Sequence, residues 1–119
     1  MAQVIINQPG PLPLTATVKT GSTGPASLAV AGSVWSETTN VMLGVDVEFD
    51  GTAVGTAKIF SNGTDTHRAL VPMHVPVDLD KPFTGDPPTE PPDYTVTLKP
   101  ANGDTITDEN DWFQVVLNI

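Results

Sequence analysis

The 119-residue chain contains no cysteine. Disulfide bonds, zinc sites built from thiolates and cysteine nucleophiles are therefore all excluded. Basic residues are also scarce, because five Lys and Arg stand against fourteen Asp and Glu, for a formal net charge of −9. A nucleic-acid-binding protein needs a basic surface to replace the counterions of phosphate. Nucleic acid is thus not an expected partner, and anionic membranes are disfavoured for the same reason.

Long apolar runs are missing as well. The N-terminal residues MAQVIINQPGPLPL contain neither a basic region nor the apolar stretch of a secretion signal. No segment is long and apolar enough to span a bilayer. We therefore expect no membrane insertion, and the sequence does not specify a cellular location.

Alternation of apolar and polar residues with a period of two fills most of the chain. The clearest example is VMLGVDVEFDGTAVGTAKIF, residues 41–60, in which Leu43, Val45 and Val47 alternate with glycine and acidic residues. The Asp-Gly pair at positions 50 and 51 is a turn signal. The segment therefore predicts a β-hairpin with one apolar and one acidic face.

Prolines and glycines predict where the other strands begin, end and bend. Residues 1–13 predict an extended lead with a short strand over residues 4–6, and residues 80–93 hold five of the twelve prolines and predict an exposed loop. Residues 68–79 alternate and predict one continuous strand, whose apolar face is Ala69, Val71, Met73, Val75, Val77 and Leu79. Pro72 and Pro76 in this strand have the same parity, so their missing N–H groups fall on one side, which predicts an edge strand or a bulge. Gly32 predicts a bulge or a close approach of two backbones.

No segment has helical periodicity over more than a turn or two, so the chain is expected to be a single all-β domain over residues 1–119. A jelly-roll sandwich is the expected architecture, and an immunoglobulin-like sandwich is the alternative. The last strand carries apolar residues in both parities, with Trp112 and Val116 opposite Phe113. It therefore needs a second apolar partner, either another sheet or a neighbouring subunit.

Four segments occur in the order found in small jelly rolls: GPASLAVAGSVWS, the central hairpin, FSNGTDTHRALVPMHVPVDL and the closing DENDWFQVVLNI. The chain resembles the tumour-necrosis-factor and C1q type (TNF/C1q-like), and within it the stand-alone bacterial domains of the fucose-binding lectin type. The resemblance covers most of the chain. It implies a homotrimer that buries the last strand along its axis, and a sugar site between adjacent subunits.

The resemblance also implies which residues bind the sugar. Trp35 falls near the family's aromatic position, and Asp65, Thr66, His67 and Arg68 fall on the loop exit that carries its first arginine. The chain departs from the pattern at two places: Gly103-Asp104 occupies the region of the second arginine, and Ile59-Phe60 lacks the tyrosine hydroxyl. A pocket at the subunit interface is expected, whereas fucose specificity does not follow.

Other chemistry has little support in the sequence. His67 and His74 have opposite parity, so they are not expected to share a metal. The cluster of Asp104, Asp108, Glu109 and Asp111 fits no EF-hand spacing and predicts turn capping. Neither a GxSxG elbow nor another catalytic arrangement is present, so we expect no enzyme and no cofactor.

The leading hypothesis is therefore a homotrimeric, lectin-like module that binds glycans. A structural or assembly trimer of a phage, spore or surface component, and an immunoglobulin-like surface module, remain as alternatives. For Arg68, the competing interpretation is a structural ion pair with one of the fourteen carboxylates.

Overall fold

A computed structural model describes residues 1–119 and contains nine β-strands and no helix. The strands are β1 (Ala2–Pro9), β2 (Leu14–Lys19), β3 (Gly24–Val34), β4 (Val41–Phe49), β5 (Thr52–Ser61), β6 (Arg68–Ala69), β7 (Met73–Leu79), β8 (Asp93–Pro100) and β9 (Trp112–Asn118). The predicted all-β class is confirmed. No helix is present that could cross a membrane.

The strands pair as one long hairpin that is folded back on itself. β4 and β5 form its tip, and outward from the tip β3 pairs with β7, β2 with β8 and β1 with β9. Two further antiparallel pairs, β3 with β9 and β4 with β8, close the folded hairpin into two sheets. This nested pairing is the jelly roll that the sequence predicts. An immunoglobulin-like sandwich would instead place β1 beside β2, so that alternative is wrong.

We name the two sheets by what they contain. The terminal sheet has the order β1-β9-β3-β7 and holds both chain ends, with the short β6 beside the end of β3. The hairpin sheet has the order β2-β8-β4-β5. Because side chains alternate along each strand, every second residue points toward the other sheet and the residues between them point to solvent.

The core lies between the two sheets. Its central side chains are fully buried and come from both layers: Leu28, Val30, Phe113, Val115 and Leu117 from the terminal sheet, and Leu43, Val45, Tyr94, Val96 and Leu98 from the hairpin sheet. The rings of Phe49 and Tyr94 stack with centroids 5.4 Å apart. The Tyr94 hydroxyl accepts a hydrogen bond from the Lys81 backbone N–H at 3.0 Å, so the buried ring keeps a polar partner.

The hairpin turn has the predicted two-residue form. Asp50 and Gly51 have φ values of 51° and 81°, and Phe49 pairs with Thr52 across them. Two successive residues at positive φ match the right-handed twist of the flanking strands. The acidic outer row of β4 is only half-buried and has partners, since Glu48 pairs with Lys99 at 2.6 Å and Asp46 accepts a hydrogen bond from Thr56.

The run of residues 68–79 differs from the predicted continuous strand. It divides into β6 and β7, and the alternation shifts parity between them, since Leu70 is buried whereas Val71 is 62% exposed. The predicted apolar row through Ala69 and Val71 is therefore wrong. β7 pairs only with β3, so the edge strand predicted from Pro72 and Pro76 is confirmed at Pro76, whereas Pro72 lies between β6 and β7.

Candidate functional site

The outer face of the terminal sheet is almost free of charge. The register of its four long strands defines this face: Ala2, Val4, Asn7 and Pro9 of β1; Trp112, Gln114, Val116 and Asn118 of β9; Pro25, Ser27, Ala29, Ala31 and Ser33 of β3; and His74, Pro76 and Asp78 of β7. Its one carboxylate is Asp78, at the end of β7. In a chain with a net charge of −9, such a neutral surface is the natural place for an uncharged partner.

Trp112 is the largest side chain on this outer face. It is 53% exposed, and its indole N–H donates a hydrogen bond of 2.7 Å to the Asn7 side-chain oxygen. This bond holds the ring beside β1 and leaves an aromatic surface open to solvent. The sequence did not single out Trp112 as a candidate site residue, although its parity opposite the buried Phe113 was the available signal.

A buried carboxylate lies directly before Trp112. Asp111 is completely buried, and its Oδ1 accepts hydrogen bonds from the Ser33 hydroxyl at 2.7 Å and from His67 Nδ1 at 2.6 Å. Its Oδ2 accepts a third bond, from the Asp108 backbone N–H at 2.9 Å. We call these four residues the Asp111 cluster. It joins β3, the segment before β6 and the loop before β9.

The two aspartates of the loop have different roles. Asp108 caps the turn as predicted, since its Oδ1 accepts a hydrogen bond from the Asn110 backbone N–H at 2.8 Å. Asp111 does not belong to the local turn alone. Its partners Ser33 and His67 are 78 and 44 residues away in the sequence, so its burial depends on the tertiary fold.

The hydrogen bond to Asp111 raises the pKa of His67 above the ordinary histidine value. The charges of Asp111 and Asp108 act in the same direction, whereas partial desolvation of the ring opposes them. His67 Nε2 lies 3.9 Å from Asp108 Oδ2, so the protonated ring sits between two carboxylates. An ionised carboxylate can only accept a hydrogen bond, so Nδ1 is the donor toward Asp111 in either charge state of the ring.

Trp35 lies next to His67, with their ring centroids 5.8 Å apart. Its backbone forms an isolated bridge with Ile106 through two hydrogen bonds of 2.9 Å, which hold the residue beyond the end of β3. The indole is half-buried, and its Nε1 has no hydrogen-bond partner. Trp35 and His67 are thus one pair of sequence-predicted site residues that the fold brings together.

The other predicted site residues flank His67 in the chain, and the Asp65 backbone N–H donates to the carbonyl of Ser36, the residue after Trp35, at 2.8 Å. Arg68 is opposite the inward-facing Val34, and its Nη2 donates to the Asn62 side-chain oxygen at 2.8 Å. It has no carboxylate within ion-pair distance, so the structural ion pair considered for it is absent. Asp65 and Thr66 are exposed on the preceding loop, where Asp65 has a φ of 56°.

The Asp111 cluster contains a serine, a histidine and an aspartate but is not a catalytic triad. In a triad the serine gives its proton to the histidine, and the aspartate orients that histidine from the far side. Here Ser33 and His67 both donate to the same oxygen of Asp111. Ser33 therefore has no base to activate it.

None of the predicted site residues lines a cavity. The largest cavity, of about 540 Å³, lies under the proline-rich loop, and its two cations Lys19 and Lys81 are already paired with carboxylates. The other two cavities are about 350 and 330 Å³ and lie beside β5 and β7. A ligand of the Trp35–His67 region must therefore bind on an open face or at a junction between subunits.

Comparisons with known proteins identify no family for this chain. No protein-family model matches the chain. No curated protein matches it either. A solved structure described as the EclA C-terminal domain, a sugar-binding protein, has a TM-score of 0.49 and 12% identity, over 99% of this chain and 77% of its own. These values transfer no ligand to the present chain.

Two other solved structures give similar values. The CBM36-1 domain of a multidomain xylanase from the hindgut metagenome of Trinervitermes trinervoides has a TM-score of 0.45 and 12% identity, over 100% of this chain and 98% of its own. The chain of the T13 infectious bursal disease virus (IBDV) particle has a TM-score of 0.46 and 15% identity, over 100% of this chain and only 31% of its own.

Proposed function

We propose that this protein is a lectin-like module that binds neutral glycans without catalysis and acts as a homotrimer. The observation that carries the proposal is Trp112, an exposed indole held in one orientation by Asn7 on a face almost free of charge. The site extends toward the residues that the sequence predicts, namely Trp35, Asp65, Thr66, His67 and Arg68.

A fixed aromatic ring with amide neighbours suits a sugar. The apolar C–H face of a pyranose packs on an indole, and amide groups donate to and accept from its hydroxyls. Asn7 and Gln114 are directly opposite each other in the β1–β9 pair, both exposed and both on the side of Trp112. Since the indole is already held by Asn7, binding would cost little additional side-chain entropy.

A separate contribution would come from Arg68, which is paired with the inward-facing Val34 and therefore does not lie on the outer face itself. It would supply charge-assisted hydrogen bonds to a glycan that reaches past the end of β3. Arg68 is the one arginine of the chain and is free of carboxylate partners. A guanidinium bonds strongly to hydroxyl oxygens once it is shielded from water. The net charge of −9 repels acidic sugars, which favours neutral glycans as the ligand class.

The trimer is supported by the opposite end of the same outer face. Val4 is 57% exposed, and it pairs with Val116, which in turn is opposite Ala29. Nothing in the same chain packs over this apolar row. A neighbouring subunit that packs against it would bury it. In this arrangement the valine end lies between subunits, and the Trp112 end remains accessible to glycan.

A glycan array with three forms of the protein tests the proposal. We expect the wild type to bind neutral glycans and Trp112→Ala to lose that binding. Phe60→Ala is the matched control, because Phe60 is an equally exposed aromatic residue, at 51%, on the hairpin sheet. Absence of binding by a folded trimer, or equal binding by Trp112→Ala, would refute glycan recognition by this face.

The second candidate function is a structural or assembly trimer. The observation that favours it is the uncovered Val4–Val116 row, which by itself calls for a partner surface and not for a small ligand. A trimeric mass by light scattering, together with no binding on the array, would favour this function over the lectin.

A further inference from the structure

We propose that His67 and Asp108 form a binding site for a divalent transition-metal cation of the Zn²⁺ class, with Asp111 orienting the histidine. The site does not depend on glycan binding. It uses a pair of side chains from two distant segments, the loop before β6 and the loop before β9. His67 Nε2 and Asp108 Oδ2 face each other at 3.9 Å, which is too far for a hydrogen bond.

That separation suits one ion between the two atoms. Zinc lies about 2.0–2.2 Å from both imidazole nitrogen and carboxylate oxygen. One possible ligand atom from each of His67, Asp108 and Asp111 lies within 4.8 Å of the others, so the two proposed ligands and the supporting carboxylate are close together. An imidazole ligand favours zinc, copper or nickel over calcium, which takes six or more oxygens.

Asp111 supplies the supporting contact that such sites require. A metal-bound histidine almost always donates its other ring N–H to a carboxylate or carbonyl, which fixes the ring and the position of the lone pair. Here the Nδ1–H of His67 donates to Asp111 Oδ1 at 2.6 Å, and Asp111 is completely buried and held by Ser33 and the Asp108 backbone. In the neutral ring the lone pair is therefore on Nε2, the atom that faces Asp108.

A second observation is an unpaired hydrogen-bond donor beside this cluster. Trp35 Nε1 is buried and has no hydrogen-bond acceptor, and its ring is 5.8 Å from that of His67. Buried donors are rarely left unpaired. An N–H group needs an acceptor, so its partner would be a water or hydroxide bound to the cation and not the cation itself. The side chains of His67 and Asp108 are 36% and 38% exposed, so water can reach a bound cation and complete its coordination.

Zinc titration by calorimetry at about pH 8 tests the site with the protein stripped of metal by a chelator. Zinc must displace the proton that the Asp111 hydrogen bond favours on the His67 ring, so the pH is kept above the ordinary histidine pKa of about 6.5. We expect one Zn²⁺ per chain and no heat from Ca²⁺.

Two variants remove one proposed ligand each. His67→Asn keeps a donor toward Asp111 but lacks Nε2, and Asp108→Asn keeps the oxygen that caps the Asn110 backbone N–H. We expect each variant to weaken zinc binding by about tenfold or more. His74→Asn, the same change at the other histidine, should bind as the wild type does.

Proton NMR of the wild type keeps the test decisive if a variant fails to fold. The chain has two histidines, so zinc should shift the ring signals of His67 and leave those of His74 in place. Absence of zinc binding, equal binding by a folded His67→Asn variant, or a shift confined to His74 would overturn the proposal.

Discussion

The ring of Phe113 occupies the space that a side chain at Gly32 would need. A Cβ atom at residue 32 would lie 2.4 Å from Phe113 Cδ1 and 2.8 Å from its Cε1. The two residues are directly paired between β3 and β9, with no shift of register at that point. The glycine therefore permits the last strand to bring a large aromatic ring into the core against the backbone of β3.

Gly32→Ala should therefore destabilise the protein. The added methyl group must displace a fully buried ring, and overpacking of this kind costs about 1–3 kcal/mol. Urea denaturation measures the loss. Gly103→Ala is the matched control, since its Cβ would meet no atom within 4 Å, and its stability should be close to that of the wild type. Equal stability of the two variants would contradict the packing role assigned to Gly32.

Asp111→Ala should be the most damaging change in the Asp111 cluster. It leaves the Ser33 hydroxyl, His67 Nδ1 and the Asp108 backbone N–H without their acceptor. Removal of a buried charged partner costs about 3 kcal/mol, which the free energy of unfolding in urea will report. Glu109→Ala, two residues away and exposed, should have little effect. A small loss for Asp111→Ala would mean that the cluster contributes little to stability.

The fold was predictable because its signals are local. Alternation in the segment of Leu43 to Val47, the Asp-Gly turn and the parity of Pro76 each act within a few residues, and each matches the structure. The parity shift at Leu70 was not predictable, because it depends on a break between two strands that pair with different parts of β3. The burial of Asp111 was missed for the same reason, since its partners are brought to it only by the tertiary fold.

The candidate site divides in the same way. Trp35 and His67 do meet, because the end of β3 and the start of β6 are adjacent. The sequence placed Trp112 on the second apolar face of the last strand. Nothing in the sequence indicates its hydrogen bond to Asn7, which is 105 residues away. Pairing between the first and last strands creates that contact, and only the jelly-roll topology specifies such pairing.

The stability of the protein should depend on pH through His67. Its pKa is raised in the folded state, mainly by the hydrogen bond to Asp111. Since the folded protein binds this proton more tightly than the unfolded chain, the contribution is fully present below the unfolded pKa of about 6.5. It is lost as the pH rises through the raised folded pKa.

The comparison of wild type with His67→Asn isolates this effect. In EDTA, the stability difference between the two should be larger at about pH 5.5 than at about pH 9, because only the wild type has the titrating ring. Denaturant titrations at both values measure it. His74→Asn, measured beside it, is the control for the same substitution at the other histidine. A difference that grows toward alkaline pH would contradict the assigned role of the Asp111 hydrogen bond.

A charge at Val4 should dissociate the proposed trimer and leave the subunit folded. Val4 is 57% exposed in the single chain, so Val4→Glu adds no strain to the core. In the trimer, the new carboxylate at position 4 would be buried against Val116 and the residues of the neighbouring subunit. Burial of an unpaired charge costs far more free energy than leaving it exposed to water. Light scattering should give a trimeric mass for the wild type and a monomeric mass for Val4→Glu, with equal urea stability of the isolated subunits.

The matched control is Val71→Glu, at a valine that is 62% exposed but lies between β6 and β7. This variant should remain trimeric. A trimeric Val4→Glu would place the subunit interface on another surface, and a monomeric wild type would remove the trimer from the proposed function.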